Sequence, residues 1–228
     1  MYNDNDGSFT SWVSLVSKWL AVMTLAWTIN LLAVGGVSIH SWAEWQALVV
    51  SYFLNGVLIG TIVGLGQALV FGSQQVSWLK LTLVTMAGYA VGFPAGVGLT
   101  SAIGFWTWPA GVPMMAGLSG TTMRIDLSNV APLAGVVIGL GQWLVLRGRI
   151  LPATLRGALL WVLGNIFGLA AGGLFARVVD GLTWLGYFPL PMGTIIARVV
   201  VGAILGLITG TILVVLRQSA QPQPFTPR

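Results

Sequence analysis

Six long apolar segments dominate the chain, and each reaches the roughly 20 residues that an α-helix needs to cross a bilayer core about 30 Å thick. They cover residues 12–35, 45–71, 77–103, 129–147, 155–178 and 194–217. Only 7% of the 228 residues are charged, whereas a soluble domain has roughly 25%. The sequence therefore predicts an all-α transmembrane fold, a bundle of about six helices with no separate soluble domain.

The predicted transmembrane domain covers residues 12–217 and is flanked by two polar segments. Residues 1–11 and the tail 218–228 are expected on the same side of the membrane because the number of spans is even. Seven basic residues fall on that side and three on the other: Lys18, Lys80, Arg147, Arg149, Arg156, Arg217 and Arg228 against Arg124, Arg177 and Arg198. The positive-inside rule predicts a multi-pass protein of the bacterial cytoplasmic (inner) membrane with both termini cytoplasmic.

One helical segment occurs twice. GTIVGLGQALVF at 60–71 matches GVVIGLGQWLVL at 135–146, and Gln67 and Gln142 hold the same position. The repeat units cover about 56–103 and 131–178, and the first and last helices resemble half-units. Both full units begin on the same side of the membrane. They are parallel repeats, unlike the inverted repeats that are common in transporters.

The helix after each matching segment begins with a basic residue, Lys80 or Arg156, and carries a second set of glycines. The alignment pairs the glycines at 88, 92 and 96 with those at 164, 168 and 172. The first helix has Lys18 at the basic position, and Ala26 and Asn30 replace the first two glycines. We therefore expect three equivalent hairpins, of which the third is formed by the last helix and the first helix of the chain.

Small residues recur every four positions and form one stripe on each of five helices. Glycine at these positions lets helix backbones approach closely, which stabilises packing in lipid. We interpret the stripes as helix-packing surfaces, and the alternative is a groove that seats a flat ligand, a lipid tail or a partner helix. The glycines are Gly60, Gly64, Gly88, Gly92, Gly96, Gly135, Gly139, Gly164, Gly168, Gly172, Gly202, Gly206 and Gly210.

The motif G-x-x-x-G-x-x-Q-[AW]-L-V-[FL], followed by a basic residue and a second glycine helix, resembles repeats in uncharacterised bacterial polytopic membrane proteins. The resemblance implies the multi-pass fold and brings no activity, cofactor or catalytic residue. Two positions depart from the motif: Ala68 corresponds to Trp143, and Thr209 stands where the last helix would have the glutamine. These departures argue against the same ligand at every unit.

Gln67 and Gln142 are candidates for a polar contact inside the bundle. Each lies three residues beyond the last small residue of its stripe, so each should face a neighbouring helix. An unpaired amide in hydrocarbon is costly, so we expect each glutamine to form an interhelical hydrogen bond. The two glutamines are candidate partners for each other. The alternative is contact with a quinone, a pigment or a solute.

His40 is the only histidine, and its imidazole could ligate a haem or chlorin or bind a quinone. It lies in an outer loop, where a solvated side chain is expected. Trp106 and Trp108 belong to outer segments whose aromatic residues fit an interfacial belt, and we retain them with His40 as candidate ligand contacts. The segment 104–128 is predicted to be a long loop, and the sequence leaves open whether it re-enters the membrane.

Several function classes lack the residues they need. The chain has no cysteine, one histidine, no phosphate-loop motif and no Ser/His/Asp set, and no metal site is predicted. Ionisable residues deep in the membrane, which pumps and active transporters require, are essentially missing. We do not expect an enzyme, because a membrane enzyme would need five residues to form a cluster on the outer face of the bundle: Arg124, Asp126, Arg177, Asp180 and His40. The basic residues are dispersed, so no nucleic-acid partner is expected.

Two functional hypotheses remain. The first is a non-catalytic accessory or structural subunit of a bacterial membrane bioenergetic complex, photosynthetic (reaction-centre or light-harvesting) or respiratory. Its partners would be other membrane protein subunits and lipid, and its candidate ligands are lipid, quinone or pigment, although the sequence requires no cofactor. The alternative is a channel or facilitator for a small neutral solute, which predicts a continuous polar path between the helices.

Overall fold

The computed structural model describes the backbone of residues 5–29, 37–39, 42–72, 76–107, 123–125 and 127–220. Side chains are described for residues 12–29, 43–72, 76–99 and 130–219. The elements in chain order are α1 (Asn5–Ile29), β1 (Val37–Ile39), α2 (Trp42–Phe71), α3 (Trp78–Thr107), β2 (Met123–Ile125), α4 (Leu127–Leu146), α5 (Leu155–Trp184) and α6 (Leu190–Ala220).

The fold is the predicted all-α transmembrane bundle. Five of the six helices are long and apolar enough to cross a membrane, and the described apolar part of α4, Val130–Leu146, is shorter. The 20 residues of α4 nevertheless extend about 30 Å at 1.5 Å per residue, which matches the hydrocarbon core. The chain is therefore a multi-pass membrane protein.

Several helix boundaries differ from those that hydropathy predicts. The described part of α1 covers Asn5–Ile29, so this helix begins before the apolar segment 12–35. α5 continues to Trp184, beyond 178. The predicted loop 104–128 is helical up to Thr107 and contains β2. Hydropathy marks which residues prefer lipid, but helical hydrogen bonding continues through polar residues that lie outside it.

The two strands form a small antiparallel sheet at one end of the bundle. Val37 pairs with Ile125, and Ile39 pairs with Met123. The sequence gives little sign of this pairing because each strand has only three residues. The sheet joins the α1–α2 connection to the α3–α4 connection, so it lies at the end of the bundle opposite to the α2–α3 and α4–α5 turns.

Each helix packs antiparallel against the next along the chain, and α6 packs against α1, which closes a ring of six helices. Two turns at the same end of the ring, called the tight turns below, join α2 to α3 and α4 to α5, and the short α5–α6 connection lies at the other end. Gly72 and Gly148, with φ of 77° and 73°, adopt the left-handed conformation that ends a helix. Among the described residues, α1 and α2 make far fewer contacts than any other neighbouring pair of helices, and we call this interface the α1–α2 seam.

The glycine stripes lie between neighbouring helices. A Cβ atom added to Gly60 would lie 2.5 Å from the Cα of Met86 in α3, and one added to Gly135 would lie 2.6 Å from the Cα of Ile166 in α5. The remaining glycines of the stripes also lie against an adjacent helix: Gly64, Gly88, Gly92, Gly96, Gly139, Gly164, Gly168, Gly172, Gly202, Gly206 and Gly210. Backbone contact between helices therefore replaces the side-chain layer that larger residues would form.

Candidate functional site in the bundle interior

The closest set of polar side chains lies inside the ring, nearer to the end of the bundle that carries the α2–α3 and α4–α5 turns. Five helices each contribute one buried group, and we call the set the polar layer: Gln67, Thr85, Gln142, Asn165 and Thr209. None is more than 2% exposed. Because buried polar groups in lipid need hydrogen-bond partners, the contacts of this layer decide whether it serves packing or ligand binding.

The two glutamines contact each other across the interior. Gln142 Nε2 donates to Gln67 Oε1 at 3.1 Å and to Thr85 Oγ1 at 3.3 Å. α2 and α4 are not neighbours in the ring, since α3 lies between them, so the bond crosses the space that the helices enclose. This is the interhelical hydrogen bond expected from the sequence, and Thr85 is an additional partner that the sequence reasoning missed.

The remaining members of the layer form hydrogen bonds with an adjacent helix or within their own helix. Trp19 Nε1 donates to Thr209 Oγ1 at 2.9 Å, which joins α1 to α6, and Thr209 Oγ1 donates to the Leu205 carbonyl oxygen. Asn165 Nδ2 donates to the Trp161 carbonyl oxygen of its own helix at 2.9 Å. The polar layer therefore uses its hydrogen bonds mainly to hold helices together or to bond their own backbones.

Aromatic side chains close the interior on both sides of the polar layer. On the side of the tight turns, the ring of Trp19 lies 5.4 Å from Phe71 and 6.0 Å from Trp161. Trp19 and Trp161 belong to α1 and α5, which are not ring neighbours, so this contact also crosses the interior. Both tryptophans are fully buried, so they close this end of the interior to the surrounding solvent or lipid.

A second aromatic group lies on the opposite side of the layer. Phe93 of α3 is in ring contact with three other buried residues, at 5.3 to 6.1 Å: Trp27, Tyr52 and Tyr89. Edge-to-face geometry of this kind is favourable and packs densely. The polar layer is therefore enclosed between two aromatic groups, and the described side chains at these levels do not line a water-filled path.

The packing contacts revise the register of the repeat. Gly88 of α3 packs against Ile138 of α4, and Gly168 of α5 packs against Leu205 of α6. Ile138 and Leu205 are equivalent because each directly precedes the second glycine of its motif. Gly88 therefore corresponds in space to Gly168, one helical turn away from Gly164, with which the sequence alignment pairs it.

The corrected register makes the polar layer a feature of the repeat itself. One set of equivalent residues consists of Gln67, Gln142 and Thr209, and the other consists of Met23, Thr85 and Asn165. The adjacent aromatic level contains Trp19, Leu81 and Trp161 at equivalent positions. Thr85 and Asn165 lie three residues before matched glycines, a signal that the sequence shows only once the register is known.

The other predicted site residues are not brought to this layer. Trp106 lies in the last turn of α3, where its side chain is not described, and His40 and Trp108 lie outside the described residues. Among the proposed enzyme residues, the backbone of Arg124 lies in β2, and Arg177 and Asp180 lie near the end of α5. Asp126 is outside the described residues.

Within the described part of the chain, no three His, Cys, Asp or Glu side chains are grouped as a metal ion would require. Trp143, which replaces Ala68 of the other unit, stabilises the α4–α5 turn, because its Nε1 donates to the Pro152 carbonyl oxygen and Arg147 lies over its ring.

No protein-family model, curated protein or solved structure matches the chain.

Proposed function

We propose that this chain is a non-catalytic accessory subunit of a larger bacterial membrane complex of the bioenergetic class, photosynthetic or respiratory. The observation that carries the proposal is the closed interior, in which the buried amides and hydroxyls bond to other helices or to their own backbone. Because the polar groups of the interior are used for the protein's own packing, we infer that partner subunits bind to its outer surface.

The α1–α2 seam is the part of that surface best suited to a partner helix or a lipid. Ala26 of α1 holds the position of Gly88 and Gly168, and its methyl group limits how closely α1 can approach. Asn55 of α2 is partly exposed, with its Nδ2 donating to Ser51. At the two equivalent positions the chain has a buried valine and a buried alanine, so the seam differs from the other interfaces between hairpins.

The orientation is part of the same proposal. Arg147 and Arg149 are exposed in the α4–α5 turn, and Lys80 and Arg156 are exposed near the starts of α3 and α5. These four residues lie at the same end of the bundle. By the positive-inside rule this end faces the cytoplasm, which puts both termini on the cytoplasmic side of the inner membrane.

Purification from native membranes in a mild detergent tests the proposal. We expect the chain to migrate on a native gel together with other membrane subunits. The Asn55→Trp variant should migrate without them, because a bulky ring in the seam would block the binding of a partner helix. Phe167→Trp is the matched control, since Phe167 is 60% exposed on α5, away from the seam. Migration of the wild-type chain alone, with no stable partner, would overturn the proposal.

A further inference from the structure

The hydrogen bond between Trp19 and Thr209 has an equivalent position in another hairpin. Trp19 and Thr209 belong to α1 and α6, and their counterparts in the α4–α5 hairpin are Trp161 and Gln142. In the first hairpin the indole donates directly to the hydroxyl at 2.9 Å. In the second, neither Trp161 Nε1 nor Gln142 Oε1 has a protein partner, although both atoms are buried.

The difference between threonine and glutamine explains why these two atoms are unpaired. Threonine has an oxygen as its γ atom, whereas glutamine has a methylene carbon there and an amide two bonds farther out. The Gln142 amide is also drawn towards the bundle axis by its bonds to Gln67 and Thr85. At the position equivalent to the Thr209 hydroxyl, Gln142 therefore has only an apolar stem to offer the Trp161 donor, and Gln142 Oε1 has no protein donor.

Trp161 Nε1 is an unpaired donor and Gln142 Oε1 is an unpaired acceptor at the same position of the repeat. One small molecule that accepts one hydrogen bond and donates another could satisfy both atoms. Leaving either group unpaired in an apolar environment costs several kcal/mol, and a buried water commonly relieves such groups. Trp161 is 0% and Gln142 is 1% exposed, which excludes a larger ligand. We propose that one water molecule bridges Trp161 Nε1 and Gln142 Oε1 and joins α5 to α4.

The bridge gives each of two hairpins a tryptophan link between its helices, direct in one and through water in the other. The inference rests on the interior contacts and does not depend on the proposed function. It also differs from a channel, because a single water enclosed by aromatic groups connects the two helices and does not form a file across the membrane.

A structure of the wild-type protein at a resolution that shows ordered waters tests the inference directly. We expect a density peak within about 3 Å of both Trp161 Nε1 and Gln142 Oε1. The peak should be lost in Trp161→Phe, which removes the donor and keeps an aromatic ring, and it should persist in Trp19→Phe. Direct contact between the indole and the amide, or no peak between them, would overturn the proposal.

A double-mutant cycle provides a second measurement that does not rely on density. Trp161→Phe and Gln142→Met, alone and together, are compared by their unfolding equilibria in detergent. A water-bridged pair should give a coupling of about threefold in the equilibrium constant, as for other interhelical hydrogen bonds in membranes. Additive effects of the two substitutions would contradict the bridge, and Trp19→Phe with Thr209→Val provides the matched cycle for a direct bond.

Discussion

Replacing Gly60 by alanine should separate α2 from α3. The added Cβ would lie 2.5 Å from the Met86 Cα and 2.9 Å from the Thr85 carbonyl oxygen, and carbon atoms in favourable contact are about 3.5–4.0 Å apart. The helices must therefore move apart by about 1 Å, because both neighbouring atoms belong to backbone. Overpacking of this kind costs about 1–3 kcal/mol, and the higher helix propensity of alanine returns at most about 1 kcal/mol.

The assay is unfolding by a denaturing detergent, followed by tryptophan fluorescence. Gly60→Ala should lower the free energy of unfolding by about 1–2 kcal/mol. Gly98→Ala is the matched control, because a Cβ added there meets no atom within 4 Å, and its stability should stay equal or rise by up to about 1 kcal/mol. The argument for close backbone packing is refuted if the two variants are equally stable.

Three further outcomes follow from the interior contacts. Gln142→Leu removes the bonds to Gln67 and Thr85 and leaves Gln67 without that donor, so it should cost about 1–2 kcal/mol in the same assay, whereas Thr211→Val on the exposed face should have little effect. Trp19→Phe should cost about 1 kcal/mol through the lost bond to Thr209, which unfolding would also measure, and an unchanged stability would contradict it. Liposomes that contain the wild-type protein should take up glycerol no faster than empty liposomes, and rapid uptake would favour the channel hypothesis.

The number of helices and their hairpin pairing could be predicted because bilayer thickness sets the length of each apolar segment. Helix ends were less predictable, as α1 shows, because its described part already includes Asn5 and other polar residues before the apolar segment. Hydropathy does not detect the start of a helix that begins among polar residues. The short β1–β2 pairing was also missed, since pairing between distant segments leaves no local pattern.

The contact between Gln67 and Gln142 was predictable because both residues interrupt apolar stripes at the same place. The register between α3 and α5 was not, for a physical reason. Glycines that recur every four residues superpose equally well when one helix is displaced by a turn, so the sequence alone cannot distinguish Gly164 from Gly168 as the partner of Gly88. Only the packing of each glycine on the next helix decides between them.

The corrected register also indicates where this chain departs from a symmetric ring. Three hairpins with the same packing would close with three equal interfaces, but the α1–α2 seam lacks the glycine that lets α3 approach α4, and it carries Asn55 where the other two interfaces bury an apolar residue. A polar side chain in lipid needs hydrogen-bond partners, and the Asn55 amide donates to Ser51 of its own helix. Under the proposed function as an accessory subunit, the seam is therefore the first place to test for a bound partner helix.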